Sequence, residues 1–510
     1  MKKLLSYTLI MLVLFASSCS DDNDVGMVNP DSTDQMTPDP TDPTDPDPAD
    51  PNSETITILT NNSQKSWRIE KATLVNPTNS SSLDISEALN IKDDVFVFST
   101  TKVDNPDLQE VNGSISWRGR EGVNWEANSS TELYKDFYEK EIVVGFQVQQ
   151  DNTAIFKAFE GLFDFTITNE NTIIGKIKVS DTAELEIILT PLLDTDLPVI
   201  PASISFTELT TLEFAPMGTG GLLGLKGSNQ TNSLYISKRG PRDSNPDGCR
   251  PSLEEVAVYN VASQAFESKL FCQYSSFTTK EIEIIDGKLV ILSSDSNNVY
   301  NLDLSSDPLV NEHDERLTRY GSANYGNDIF VTGSRFDPES TNKPLDQLFK
   351  FDTESGAFNA FATLPKIKYW ADLEIVDNKL YLFGGLDDAF ETLNGTDDLL
   401  IYDFSTTQWQ TLKMPKTLND TFTARYYNLI FVGGNTGIDT NGDGNTDKNE
   451  SFLGVFNTND NTLTEISVEI NTSEIESFRQ LTILNDKLYV ITSSASVSGN
   501  IFKLHEADLN

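Results

Sequence analysis

Six short apolar runs, each entered from a polar turn, recur from residue 203 to the end of the chain at a nearly constant interval. SLYIS begins its run at Leu234, GKLVILSS at Leu289, NDIFVTGS at Ile329, NKLYLFGG at Leu380, YNLIFVGG at Leu429 and DKLYVITS at Leu488. The spacings are 55, 40, 51, 49 and 59 residues. A period near 50 built from strands and turns is highly restrictive, because one four-stranded sheet cannot bury both faces and must stack on copies of itself. Residues 203–510 are therefore expected to form a β-propeller of six blades.

A second signal has the same period. Tyr259 is followed seven residues later by Phe266, Phe351 by Phe358, Tyr402 by Trp409 and Phe456 by Leu463, with Asp or Asn after the first member each time. This is a strand, a turn and a returning strand. The sixth repeat ends without a fourth strand. The segment Ser203-Ile204-Ser205-Phe206-Thr207-Glu208-Leu209 is spelled like the fourth strands AFATLP and QTLKMP, so it is expected to complete blade six and close the ring from both ends of the domain.

These residues carry a resemblance. Gly384-Gly385 and Gly433-Gly434 at the end of the second strand, followed by aromatic, Asp and a large apolar residue as in FGG…IYDFSTTQW, resemble the Kelch family. Ser293-Ser294 and Thr492-Ser493 replace the double glycine in blades two and six, which rest on the period alone. The resemblance implies a ligand surface at one mouth of a central channel. It also admits enzymes, copper-radical oxidases and sialic-acid epimerases among them.

Residues 55–195 hold further short runs: ITIL, SWRIEKATLV, DDVFVFST, ISWRG, EIVVGFQV, LFDFTITN, NTIIGKIKV and AELEIILTPL. Each is bounded by turn residues, and about eight antiparallel strands of this length suit a small closed or nearly closed barrel. Ser66-Trp67-Arg68, the run Asp93–Ser99 and Trp117 resemble lipocalin-like domains of bacterial surface lipoproteins. The resemblance implies a cup for a small apolar molecule. In a domain this short, Trp67, Phe96, Phe98 and Trp117 can equally fill the cup as core. Asp194–Pro201 reads as a linker.

The N-terminus reads as an address and a tether. Lys2 and Lys3 precede Leu4–Phe15, which is too short to span a bilayer and suits a signal peptide (1–18). Ala16-Ser17-Ser18-Cys19 resembles a bacterial lipobox, with Cys19 the lipidated residue; Ser20-Asp21-Asp22-Asn23-Asp24 resembles an export signal to the outer face of the outer membrane. Residues 20–54 contain ten Asp, one Glu and no Lys or Arg, threaded with Asp-Pro units. Proline stiffens such a segment and like charges extend it, so 19–54 is expected to be a disordered spacer. An outer-membrane, surface-exposed lipoprotein is the expectation.

Charge removes other classes. With 37 Lys+Arg against 78 Asp+Glu the formal charge is −41, the wrong sign for a nucleic-acid ligand, which is held by basic patches. His313 and His505 are the only histidines. They cannot supply a multi-histidine metal centre or the copper ligands of an oxidase.

Three candidate sites remain. Asp439, Asn441, Asp443, Asn445, Asp447 and Glu450, with Gly444 at the sixth position, match the twelve-residue calcium loop. A hard cation wants six to eight oxygens, and alternate residues on a tight turn point inward together. Structural Ca²⁺ between two strands is the expectation, against a merely solvated loop. Cys249 and Cys272, 23 residues apart in an exported chain, are expected to form a disulfide. Lys280, Arg319, Tyr369, Trp370, Arg425 and Arg479 precede the blade hairpins at comparable positions and are expected to gather at one channel mouth. There, arginine would pair with carboxylates and aromatics would stack on sugar rings. The alternative is that they fill the channel and neutralise neighbours.

The expected function is a non-catalytic binding module for a glycan or protein, anchored to the membrane by lipid. An assembly subunit of an outer-membrane complex and an epimerase-like enzyme are the alternatives. Fold alone does not choose among them.

Overall fold

The computed structural model describes residues 52–509 apart from 87–94, 119–123, 128–130, 136–140, 213–222, 240–251, 274–280, 314–316, 336–343, 387–394, 439–447, 471–476 and breaks of one or two residues. The signal peptide, Cys19 and the acidic spacer lie outside the described residues. Among the described residues the fold is all-β with one short helix, α1 (Ser53–Thr60).

A closed antiparallel barrel comes first. Its strands are β1 (Gln64–Val75), β2 (Val95–Ser99), β3 (Gly113–Arg118), β4 (Glu141–Val148), β5 (Thr153–Ala158), β6 (Gly161–Asn169), β7 (Thr172–Ser180) and β8 (Ala183–Pro191). Neighbours in sequence are neighbours in the sheet, and β1 closes the barrel by pairing with β2 along one edge and β8 along the other. Ser82–Asp84 extends this sheet by pairing with the end of β1, and Asn124–Ala127 pairs with Thr131–Lys135 in a separate two-stranded sheet.

Trp67, Phe96, Phe98, Phe146 and Phe165 are all fully buried in one cluster inside the barrel. The phenylalanine rings meet edge to face, with Phe96–Phe165 centroids 5.7 Å apart and Phe98–Phe146 5.6 Å apart. Gly175 makes room for them, since a Cβ there would stand 2.6 Å from the Phe165 ring. Among the described residues the cup is filled by its own side chains; that of Trp117 lies outside them.

The run Ile56–Leu59, expected as a strand, is instead the second half of α1. Alternating Ile and Thr spells a strand, but tertiary burial overrides so weak a preference. Leu59 is buried against the barrel core, and the Trp67 indole N–H donates to its carbonyl at 3.1 Å. Asn61, left-handed at φ 50°, ends the helix by donating to the Thr57 carbonyl.

The propeller has six blades. Their innermost strands are Leu223–Ser228, Glu281–Ile285, Leu317–Tyr325, Asp372–Val376, Asp420–Tyr426 and Ser477–Leu484, and each packs against the next, the sixth against the first. All six repeat anchors lie on second strands. The aromatic pairs are direct cross-strand partners: Tyr259 with Phe266, Phe351 with Phe358, Tyr402 with Trp409 and Phe456 with Leu463. The Asp or Asn after each first member turns the chain. Asp403 Oδ1 accepts from the Ser405 and Thr406 N–H groups, Asp352 Oδ1 from Ser355 and Asn260 Oδ1 from Ser263, the Asx geometry that starts a tight turn.

Ser203–Thr211 closes the ring. Its second half, Thr207–Thr211, pairs antiparallel with the third strand of blade six, Gly499–Asp508, as expected. Its first half does something more. Ser203–Phe206 pairs parallel with Ser467–Ile470, a strand that leaves the end of blade five and crosses to this edge. Ile204 and Phe206 are buried with Phe422, Phe431 and Phe478 of blades five and six.

Candidate functional site

Antiparallel register gives the innermost strands a common ruler. Counting back from the last residue of the strand, the second position is Lys226 in blade one, Glu283 in blade two and Glu374 in blade four; the fourth is Glu281 in blade two, Gly321 in blade three and Asp372 in blade four. The Lys226, Glu281, Glu283, Asp372 and Glu374 side chains form a polar belt on blades one, two and four, while the corresponding positions Ala323 of blade three and Ala424 and Phe422 of blade five pack in apolar clusters. Lys226 Nζ pairs with Glu283 Oε2 at 2.8 Å, and Glu283 Oε1 accepts from Ser322 Oγ of blade three at 2.8 Å.

The charges act on one another across the ring. Burial pushes the Asp372 carboxyl up to about 7, against the opposing pull of N–H donors from Leu373 and Thr423. Burial, and then repulsion from Asp372 and Glu283, holds Glu281 well above the ordinary carboxylate range. Glu374 is raised by burial too, although Lys226 and Arg425 oppose it. Burial alone would lower Lys226, but Glu283, Glu374 and Asp372 carry it above the usual lysine range. The influence of Glu374 on Lys226 links blades one and four, on opposite sides of the ring.

Above the belt, the segment 364–371 leads into blade four. Lys368, buried, donates from Nζ to Thr396 Oγ1 at 2.5 Å and lies 3.5 Å from Asp398 Oδ2. Lys366 and Lys413 complete the ring of cations around Asp398, at 2.8 and 2.7 Å. The double glycine then has a physical job. Gly384 and Gly385 have φ of 58° and 80°, and a Cβ on Gly385 would stand 2.4 Å from the Tyr369 carbonyl oxygen. Only glycine lets this segment lie so close.

Trp370 therefore sits half-buried at this end of the channel with φ 53°. A bulky side chain in that region costs on the order of 1–3 kcal/mol and persists only where its surroundings fix it. Blade five fixes it: Thr421 donates from both N and Oγ1 to the Trp370 carbonyl, each at 3.1 Å.

The residues expected at one mouth do not all gather there. Trp370 and Arg479 lie toward the same end of the inner strands, and Arg479 Nε donates to Ser493 Oγ at 2.6 Å. Tyr369 is fully buried, its backbone bridged to Leu386. Arg425 is a correction. It stands one residue before the end of its strand, roughly 13–17 Å further along the axis, where Nη1 donates to the Ile375 carbonyl. Nearness to a hairpin in sequence does not set a common level in the ring. Lys280 and the Arg319 side chain lie outside the described residues, as do Asp439, Asn441, Asp443, Asn445, Asp447, Cys249 and the Cys272 side chain. Flanking the calcium motif, Leu429–Ile438 and Lys448–Asn457 pair up to Ile438 opposite Lys448, and Glu450 lies opposite Thr436.

The belt itself went unread in the sequence. A signal was present, since EIEII in blade two and DLEIV in blade four place acidic residues at the same two positions before the hairpin.

The architecture is that of a six-bladed Kelch-type β-propeller preceded by a closed eight-stranded barrel. The Kelch motif family matches residues 373–413, most of blade four. Among solved structures, one described as "Structure of YjhT" aligns with 58% of this chain and 96% of its own, at 13% identity and a TM-score of 0.41. No curated protein matches the sequence.

Proposed function

We propose that the protein is a lipid-anchored outer-membrane surface module that binds a glycan at the Trp370 end of its propeller channel. The observation that carries this is Trp370 itself, an aromatic held in a strained conformation above a polar belt. Strain of this kind is concentrated at ligand sites. An indole face suits the apolar face of a pyranose, and carboxyl groups such as Glu281, roughly 7 Å deeper, exchange hydrogen bonds with sugar hydroxyls. Cys19 supplies the anchor and the acidic spacer supplies reach, and in sequence the lipocalin-like barrel, its described interior filled by its own side chains, precedes the propeller. A Cys249–Cys272 disulfide braces blade one, which thiol counting before and after reduction checks. The binding test is a glycan array followed by calorimetry on each hit. Trp370→Ala should weaken a hit at least tenfold; unchanged affinity removes the reading.

A second reading rests on the buried Asp372 carboxyl, which burial pushes up to about 7. Groups so placed serve as general acids or bases. An epimerase-like activity would appear as conversion of a bound sugar followed by proton NMR, and no conversion of any array hit leaves binding alone.

A further inference from the structure

Arg479 sits where the pairing of blade six's inner strand is interrupted. Phe478 faces Thr492 and Gln480 faces Ile491, so Arg479 is an extra residue with nothing opposite it. A bulge of this kind re-aims a side chain out of the strand's alternation. Blade six then fixes the guanidinium, since Nε donates to the buried Ser493 Oγ at 2.6 Å. Nε is only one of the group's donors. Among the described residues, Nη1 and Nη2 have no acceptor and no carboxylate pairs with the half-buried guanidinium. Other cations of this acidic chain are paired: Arg68 with Glu70, Lys226 with Glu283 and Lys487 with Glu506. We propose that the seam between blades six and one, at the Trp370 end of the channel, holds an oxyanion on the Nη edge of Arg479, and that the glycan carries it as a carboxylate or sulfate substituent.

The neighbours along the seam favour an anion. Ser493 stands directly opposite Phe502 in the sheet, and the Phe502 ring lies 5.4 Å from Nζ of Lys238 on blade one. Lys238 is buried, as is Glu255 opposite it on the next strand. Burial lowers the Lys238 amine to about 8 against the pull of Glu255, so it remains a cation at neutral pH. Two cations therefore face one carboxylate, in a seam where charge is poorly screened. With Nε held by Ser493, the two Nη groups present parallel donors, the fork that takes two oxygens of a single oxyanion. A sugar hydroxyl offers that fork only one oxygen and no charge.

The inference rests on the glycan reading only for what carries the oxyanion, so its test starts without a glycan. Sodium sulfate and sodium glucuronate are each titrated into the full chain by calorimetry, with ionic strength held constant by sodium chloride. The expected result is one saturable site for at least one of the two. Arg479→Gln should weaken it about tenfold or more, and Arg479→Lys, which keeps the charge and loses the fork, should weaken it less. The salt that binds more tightly tells carboxylate from sulfate. Equal affinity in the wild type and Arg479→Gln, or saturation by neither salt, overturns the subsite. If Arg479→Gln does not fold, Arg479→Lys decides, and unchanged affinity there overturns the subsite. Neutral array hits weakened by Trp370→Ala, with neither salt bound, keep the glycan reading and remove the oxyanion subsite; salt binding through Arg479 with no array hit does the reverse.

Discussion

Tyr402 faces Trp409 across the outer hairpin of blade four, ring centroids 5.0 Å apart, and the same register recurs in blades one, three and five. The pair also touches the neighbouring blade, since Tyr402 meets Phe361 of blade three at 5.8 Å. Tyr402 is nearly buried and Trp409 is not. Tyr402→Ala should therefore cost about 3–5 kcal/mol, as for a large core aromatic. Trp409→Ala should cost less than half as much in the same urea titration, and equal costs would show that exposure does not govern this hairpin.

The ring closure predicts a strong dependence on Ser203–Thr211. A chain beginning at residue 212 should lose cooperative unfolding and become protease-sensitive, and a peptide of residues 200–212 should restore resistance in trans. Phe206→Asp should mimic the deletion, because it places a charge in the blade five–six core. An unaltered transition in the truncated chain would mean that blade six is stable with three strands.

Asp398 should give a pH dependence opposite in sign to that of a raised carboxyl such as Asp372. Burial alone would raise its pKa, but Lys366, Lys413 and Lys368 hold it below the usual carboxylate range. Its contribution is present above the unfolded value near 3.9 and is lost as pH falls through the folded one. Asp398→Asn should remove that acid-side loss and, by stranding the buried Lys368, cost about 3–5 kcal/mol at neutral pH. Urea midpoints from pH 2 to 7 for both proteins check it.

The motif Asp439–Glu450 should bind Ca²⁺ with Kd on the order of 10⁻⁴–10⁻³ M, the range of extracellular modules. Calcium titration by calorimetry should show one site that Asp443→Ala removes. Silence from the wild type would leave a solvated loop.

The barrel should take up no apolar guest. An environment-sensitive apolar dye should show no saturable binding to the wild type. Gly175→Val should destabilise the protein by about 1–3 kcal/mol through overpacking against Phe165, read as a lower urea midpoint.

By itself the sequence determined the blade number, the hairpin register and the strand that closes the ring. Each is written in local spacing: seven residues set an outer hairpin, about fifty set a blade, and an orphan fourth-strand spelling at Ser203 answers a missing one at the end. The barrel was legible for the same reason, its strands pairing in sequence order. The tertiary structure alone decided the rest. Ile56–Leu59 became helical because Leu59 is buried against the barrel core, a contact that outweighs β-branched alternation. Ser467–Ile470 became a clasp because blade five ends beside the closing strand. Lys226 and Glu374 came to share one channel although 148 residues separate them. Alternation along a strand says which face a side chain takes, but the charges it meets across a channel are set by ring closure.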